Sequence, residues 1–245
     1  MKTYLTSLIL VFYLNIKAQV HLDNSVFAVV KFSYNEPGEM LVTGGICGTG
    51  FLINDSTVLL ANHILNRSNF IPNPGYKFVQ FWLLKRGTKL IIPLSADYLQ
   101  SMEDIESTVV RLPEIVKCDL LISQDKAKPD EVVQSFGHLN SMPVTDAHWE
   151  NDTLVIDGYN LEKSKSDASG RIVEIRNISI NATDVKLTDV KVIQPSFKGN
   201  RGMSGGPLIS NQKVIGMMSF GFPADLEIKD TVFAIAIDQI ITRLK

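Results

Sequence analysis

The chain of 245 residues carries 24 basic and 26 acidic side chains, which gives a net charge of −2 at pH 7. This near balance offers no electrostatic attraction for nucleic acid, so no nucleic-acid partner is expected. Hydrophobic residues make up 45% of the chain and charged residues 20%, which is typical of a folded globular protein. Only Cys47 and Cys118 could form a disulfide or bind zinc as thiolates, and no metal or cofactor is expected.

The first 18 residues have the pattern of a secretory signal peptide. Lys2 precedes an apolar run from Leu5 to Leu14, and Ala18 is a small residue at a plausible cleavage point. The run is shorter than the ~20 residues that span a bilayer, so a retained anchor helix is the less favoured alternative. We therefore expect export, with a secreted or periplasmic protein that has no membrane segment once the signal is removed.

Short apolar runs separated by turn residues fill most of the remaining chain. Many short strands at this spacing favour a β-sandwich or β-barrel over alternating strands and helices. A linker is predicted at 113–130, which contains Pro113 and Pro129, and a polar loop at 162–170. Only the tail from about Asp238 is predicted to be helical. The predicted strands lie at 25–32, 50–53, 57–60, 78–83, 90–92, 108–112, 131–136, 153–156, 171–175, 190–193, 214–218 and 232–237.

Glycines surround a serine in the sequence Gly-Met-Ser-Gly-Gly-Pro, which runs from Gly202 to Pro207. Glycines allow tight turns and leave backbone N–H groups uncovered, and two such groups beside a serine can stabilise an oxyanion. The sequence also fits the nucleophile elbow of α/β-hydrolases, whose catalytic histidine follows the serine. Here all four histidines precede Ser204, which excludes that fold: His21, His63, His138 and His148.

The order histidine, then serine, is that of chymotrypsin. His63 follows an apolar strand in Ala-Asn-His, and Gly-Thr-Gly-Phe-Leu-Ile precedes that strand at 48–53. With the loop around Ser204, these segments resemble the first-barrel signature and nucleophile loop of trypsin-like serine peptidases. Gly-Met-Met-Ser-Phe-Gly at 216–221 is similar to their Ser-Trp-Gly strand, and 232–237 resembles the Phe-Ala-Ile-Pro strand of bacterial HtrA-like members. These matches occur in the family's order and cover roughly 26–244.

The resemblance implies an all-β fold of two six-stranded antiparallel β-barrels with a short C-terminal helix. Residues 19–112 would form the first barrel, 113–130 the linker, and 131–245 the second barrel with the helix. The best match is to the protease domain of HtrA-like and V8-like members, and no PDZ domain is expected after the helix.

The resemblance also implies a role for each matched residue. His63 would be the general base, Ser204 the nucleophile, and the N–H groups of Gly202 and Ser204 the oxyanion hole. The substrate backbone would pair with Ser219, Phe220 and Gly221. The implied activity is that of an exported serine endopeptidase that cleaves polypeptides through an acyl-enzyme. The alternative is an inactive homologue that serves as a peptide-binding module.

Three residues compete for the acid of the expected triad, which in this family begins the last strand of the first barrel. Asp104 stands in an Asp-Ile dipeptide at the typical distance before Gly137, which opens the second barrel. Glu106 gives the better strand register but has a longer side chain. Asp119 leaves little room for the linker between the barrels. We therefore prefer Asp104, with Glu106 and Asp119 as alternatives.

Other positions depart from the family. Met203 replaces the aspartate with which animal trypsins bind a new N-terminus, so activation by that route is not expected. Lys198 stands where trypsin carries the carboxylate that selects basic side chains, and Met218 stands where glutamate-specific members carry a histidine. Together they favour an uncharged, apolar residue before the scissile bond. His138 and His148 are expected to be structural.

Overall fold

The computed structural model describes residues 24–36, 43–65, 70–72, 74–86, 90–151, 153–181, 186–221 and 232–244. The segment predicted to be a signal peptide lies outside these residues. Among the described residues, no helix has the length and apolar character needed to cross a membrane. Two large sheets and one separate hairpin contain the strands.

The described strands are β1 (Val26–Tyr34), β2 (Thr43–Asn54), β3 (Thr57–Ala61), β4 (Phe78–Lys85), β5 (Ile91–Leu94), β6 (Leu99–Met102), β7 (Ser107–Arg111), β8 (Leu121–Ile122), β9 (Val132–His138), β10 (Val144–Glu150), β11 (Thr153–Tyr159), β12 (Lys165–Asn181), β13 (Lys186–Pro195), β14 (Pro207–Ser210), β15 (Lys213–Gly221) and β16 (Val232–Ala236). The helices are α1 (Asn62–Leu65) and α2 (Ile237–Arg243), with 3₁₀ helices η1 (Ala96–Tyr98), η2 (Glu103–Ile105) and η3 (Glu162–Ser164).

The first sheet has the strand order β5-β4-β1-β2-β3-β7-β6. β5 and β6 lie on its opposite edges, yet only Ser95 and η1 separate them along the chain. They therefore act as one bent strand that draws the two edges together and curls the sheet into a barrel. Buried side chains such as Phe51, Leu59 and Phe81 fill its interior, and the removal of this apolar surface from water stabilises the curled sheet.

The second sheet closes on itself. Its described strands follow one another as β14-β9-β12-β13-β16-β15, and β15 pairs with β14 to complete the ring. β8 adds to β15 in parallel, outside the ring. Closure gives each strand of the ring a neighbour on both sides. The predicted all-β fold of two barrels and a short C-terminal helix is confirmed.

The predicted polar loop at 162–170 is wrong over most of its length. β12 begins at Lys165, and residues 165–171 pair with β9 along the whole of that strand. The error arises because backbone hydrogen bonds hold this part of β12, while its small and charged side chains give no apolar alternation. The short strands β6, β8, β10 and β14 also escaped prediction, since runs of two to seven residues carry a weak periodic signal.

The β10–β11 hairpin covers the outer face of the first barrel. Phe32 of β1 and Trp82 of β4, whose ring centroids lie 4.9 Å apart, pack with Leu154 of β11 in a second buried cluster. β1 is therefore buried on both faces, which explains its nearly continuous apolar sequence. His148 lies on the exposed side of the hairpin, with Nδ1 2.5 Å from Asp157 Oδ2. The hairpin, which belongs to the second half of the chain, thus packs against the first half.

Candidate active site

His63 lies in α1, immediately after β3. Its Nδ1 atom is 2.5 Å from Glu106 Oε1, and its backbone N–H donates to the same oxygen at 3.0 Å. The Glu106 side chain is 1% exposed, whereas that of His63 is 32% exposed. A buried carboxylate that accepts from Nδ1 fixes the orientation of the ring and makes Nε2 the proton-accepting nitrogen.

Glu106 has an unusual backbone conformation. With φ 53° and ψ 37°, it lies in the left-handed region directly after η2, and its N–H donates to the carbonyl of Glu103. That region is uncommon for residues other than glycine, asparagine and aspartate. The carbonyl of Glu106 accepts a hydrogen bond from the Asn62 N–H at 3.0 Å. This turn directs the Glu106 side chain to α1 and starts β7 one residue later.

The other two acid candidates lie elsewhere. Asp104, the preferred residue, accepts a hydrogen bond from Arg243 Nη2 at 2.7 Å, and half of its side chain is exposed. Asp119 forms an ion pair with Lys117 at 2.8 Å. The prediction that Asp104 lies beside His63 is therefore wrong. The left-handed turn after η2 places the carboxylate of Glu106 at the histidine instead.

Asn62 anchors α1 to the neighbouring strands, and sequence reasoning missed it. Its Oδ1 atom accepts hydrogen bonds from the hydroxyls of Ser101 on β6, at 2.5 Å, and Thr108 on β7, at 2.9 Å. Asn62 is buried, and these bonds offset the cost of placing its amide there. The signal in the sequence was a polar amide between an apolar strand and His63.

The loop that carries Ser204 packs onto the first barrel. The carbonyl of Ser204 accepts from the Thr49 N–H of β2 at 2.8 Å. A Cβ atom on Gly205, whose φ is +83°, would lie 1.9 Å from Thr49 O and 3.1 Å from the backbone N of Ala61. Only glycine fits there. The structure thus brings Ser204 to the end of β3, from which α1 and His63 continue.

The N–H groups of Gly202 and Ser204 have no hydrogen-bond partner among the described residues. The carbonyl of Arg201 accepts from the Asn140 N–H at 3.3 Å. Because the C=O and N–H of a trans peptide point in opposite directions, the N–H of Gly202 points away from Asn140. A Cβ on Gly202, whose φ is +99°, would lie 2.3 Å from His138 O. Two unpaired backbone donors beside a serine can stabilise a developing oxyanion.

The predicted substrate-pairing residues end β15. Before them, Met218 bonds the serine loop with both backbone groups, at 2.8 Å through its N–H and 2.6 Å through its carbonyl. The pairing of β15 with β16 then shifts between Met218 and Phe220, so that Phe220 pairs with Phe233. After this irregularity, some backbone N–H and C=O groups of β15 bond to β16, and the others point to the opposite side of β15. An extended peptide can lie along that side. The residues concerned are Ser219, Phe220 and Gly221.

His138 is buried at the end of β9, where its hydrogen bonds indicate a structural role. Its Nδ1 is 3.0 Å from Ser164 Oγ, and that hydroxyl donates to the carbonyl of Leu161 at 2.8 Å. Nδ1 must therefore carry the proton. Burial, together with the positive charges of Arg86 and Lys165, lowers the pKa of His138 to about 3. The ring is consequently neutral over the physiological pH range.

Comparison with known proteins identifies the fold. No protein-family model and no curated protein matches this chain in sequence. The M. tuberculosis protease Rv3671c, as an inactive Ser343Ala mutant, is similar with 20% identity and a TM-score of 0.57 over 93% of this chain and 88% of its own. The HtrA-type protease AlgW, solved with a decapeptide, is similar with 14% identity and a TM-score of 0.62 over 93% of this chain and 65% of its own.

The MamO protease domain from Magnetospirillum magneticum is similar with 13% identity and a TM-score of 0.59 over 92% of this chain and 98% of its own. The chain therefore has the double β-barrel fold of these proteases.

The neutral, buried His138 predicts a loss of stability in acid. Its pKa of about 3 in the folded protein lies below the ordinary value of 6.5, so between these values the unfolded chain binds the extra proton and stability falls as the pH falls. Between pH 7 and pH 5 the loss should be about 2 kcal/mol. A His138→Asn variant can still donate to Ser164 but does not titrate. Denaturant unfolding at both pH values should show a shallower pH dependence for the variant, and equal dependences would contradict the prediction.

Proposed function

We propose that this protein is an exported serine endopeptidase that hydrolyses polypeptides through an acyl-enzyme. One observation carries the proposal: the loop of Ser204 packs against the end of β3, where His63 is held by the buried carboxylate of Glu106. A serine becomes a strong nucleophile when a histidine takes its proton and a carboxylate orients that histidine. The double-barrel fold of HtrA-type proteases supports the same function. Export rests on the predicted signal peptide.

In the proposed mechanism, Ser204 Oγ attacks the carbonyl carbon of the scissile peptide while His63 Nε2 takes the hydroxyl proton. The buried carboxylate of Glu106 stabilises the imidazolium through Nδ1. The N–H groups of Gly202 and Ser204 donate to the oxyanion of the tetrahedral intermediate. His63 then protonates the leaving amine. In the second half-reaction it activates a water molecule, which hydrolyses the ester and releases Ser204.

Glu106 takes the role that the sequence assigned to Asp104. A glutamate is longer than an aspartate by one methylene, and the left-handed turn at Glu106 accommodates that length by folding the side chain back over α1. The same oxygen then reaches both the Nδ1 and the backbone N–H of His63. The acid therefore fixes the helix as well as the ring.

We infer a preference for a small or medium apolar residue before the scissile bond. Lys198, at the position of the trypsin carboxylate, is exposed to solvent rather than enclosed in a pocket. A Cβ atom on Gly199 would lie 2.5 Å from Val232 Cγ1, so Val232 packs directly against the segment that leads to Ser204. Val232 also pairs with Gly221 at the end of β15. The Val232 side chain thus lies between the segment of Gly199 and the end of β15. These two segments are expected to line the pocket for the residue before the scissile bond.

A fluorophosphonate probe tests the nucleophile. The probe should label the purified protein on Ser204, and labelling should disappear in Ser204→Ala. His63→Ala should slow labelling by at least about 10³-fold because the proton acceptor is lost. Ser210→Ala, which removes a buried hydroxyl on β14, is the control and should label at the normal rate. A wild-type protein that is not labelled, yet binds peptides, would instead support the alternative of an inactive peptide-binding homologue.

Paired substitutions test the acid. Glu106→Gln should lower kcat on a peptide substrate by about 10⁴-fold, because an amide neither selects the correct tautomer nor stabilises the imidazolium. Asp104→Asn removes only an exposed pair with Arg243 and should leave kcat within about twofold. Steady-state hydrolysis by the two variants gives the comparison. The opposite ranking would assign the acid to Asp104, and two near-normal rates would exclude a triad.

Replacement of Val232 tests the proposed pocket. Val232→Ala should raise kcat/KM for leucine or phenylalanine before the scissile bond, relative to alanine there, by about 10-fold or more, since space is added where the larger side chain enters. Cleavage of matched peptides that differ only at this residue measures the ratio. Val133→Ala, which truncates a buried valine on β9, controls for general loosening. An unchanged ratio in Val232→Ala would show that Val232 does not limit the pocket.

A further inference from the structure

The loop before Ser204 is held without the ion pair of animal trypsins. Met203 occupies the position of their aspartate, is 1% exposed, and packs against Gly137. A thioether cannot form an ion pair with an amino terminus. Gly202 and Gly205 nevertheless both have positive φ angles. Glycine can also adopt many other backbone conformations, so the glycines do not by themselves select this one. Hydrogen bonds within the loop, from Met203 to Asn200 and from Gly206 to Met203, are joined by contacts from outside it.

Thr49 of β2 makes two contacts with the loop and a third with the end of β9. Its hydroxyl donates to the carbonyl of Gly202 at 2.7 Å and accepts from the backbone N–H of His138 at 3.0 Å. Its own backbone N–H donates to the carbonyl of Ser204 at 2.8 Å. Thr49 is completely buried. One side chain of the first barrel thus connects the start of the second barrel to the loop that carries both expected oxyanion donors.

The hydroxyl controls the direction of the Gly202 N–H. Asn140 holds the carbonyl of Arg201, and Thr49 holds the next carbonyl, that of Gly202. With both carbonyls fixed, the peptide that joins Arg201 to Gly202 keeps its N–H directed away from Asn140. If this peptide turned over, its carbonyl would face the position of the oxyanion and repel it. Among the described residues, the Gly202 carbonyl has no hydrogen-bond donor other than Thr49.

We propose that Thr49 is a positioning residue whose hydroxyl keeps the oxyanion loop in its catalytic conformation. The proposal rests on the proposed function as a serine endopeptidase and deepens it. A hydroxyl is suited to this place because it accepts one hydrogen bond and donates another, and so connects a backbone N–H to a backbone C=O. The contact crosses from one barrel to the other. Formation of the loop conformation is therefore coupled to correct docking of the two barrels.

Kinetics of matched variants test the proposal. Thr49→Val keeps the shape of the side chain but removes the hydroxyl, and it should lower kcat by about 10²-fold or more with little change in KM, as expected when an oxyanion donor is misplaced. Affinity for a peptide aldehyde, whose adduct carries the oxyanion, should fall by a similar factor. Thr49→Ser keeps the hydroxyl and should stay within about threefold of wild type. Thr49→Ala is a second hydroxyl-free variant, should the valine be poorly accommodated.

Crystal structures of the same proteins give a readout that does not need activity. In wild type and Thr49→Ser the Arg201 carbonyl should accept from the Asn140 N–H, whereas in Thr49→Val and Thr49→Ala that peptide should be turned over or mixed. A hydroxyl-free variant that keeps both the peptide orientation and kcat would overturn the proposal. If wild type neither cleaves peptides nor reacts with a fluorophosphonate, the proposed function fails. The peptide orientation still decides the role of Thr49 in that case.

Discussion

The backbone contact between Gly205 and Thr49 is the constraint on which the candidate site depends. A side chain on Gly205 would overlap the Thr49 carbonyl, so the serine loop lies directly on the first barrel with no side chain between them. The first barrel supplies His63 and Glu106, and the second barrel supplies Ser204. Neither barrel holds the complete candidate site, and a shift of about 1 Å at their contact would separate the proposed nucleophile from the proposed base. The site therefore exists only when the barrels are docked correctly.

The two halves of the site are held in different ways. Asn62 and the left-handed turn after η2 hold the pair of His63 and Glu106, and Asp104 of η2 is in turn bonded to Arg243 of α2. The loop of Ser204 is bonded by Met218 of its own barrel and by Thr49 of the other barrel. Both halves of the candidate site therefore have contacts that cross from one barrel to the other.

The sequence predicted the fold and identified the segments that contain His63 and Ser204, because apolar strands and a glycine-rich loop are local patterns. It ranked the proposed acid, Glu106, below Asp104. Asp104 and Glu106 stand two residues apart, and only the left-handed backbone at Glu106 decides which carboxylate faces the histidine. Thr49 was equally hidden, since it lies 153 residues from its partner Gly202 in the chain. Contacts between such distant residues are set by barrel packing, which leaves no periodic signal in the sequence.

The fold separates the groups that stabilise it from the groups assigned to the chemistry. Apolar clusters on both faces of β1 bury Phe27, Phe32 and Trp82, and their removal from water is the main stabilising contribution. Around the serine loop, where the barrels meet, the buried groups include the polar residues Thr49 and His138, and each loses hydration that its hydrogen bonds offset. The main apolar cluster contains residues of both barrels and provides most of the stability. Because this cluster keeps the barrels folded, a substitution of Thr49 should change the conformation of the serine loop before it unfolds the protein.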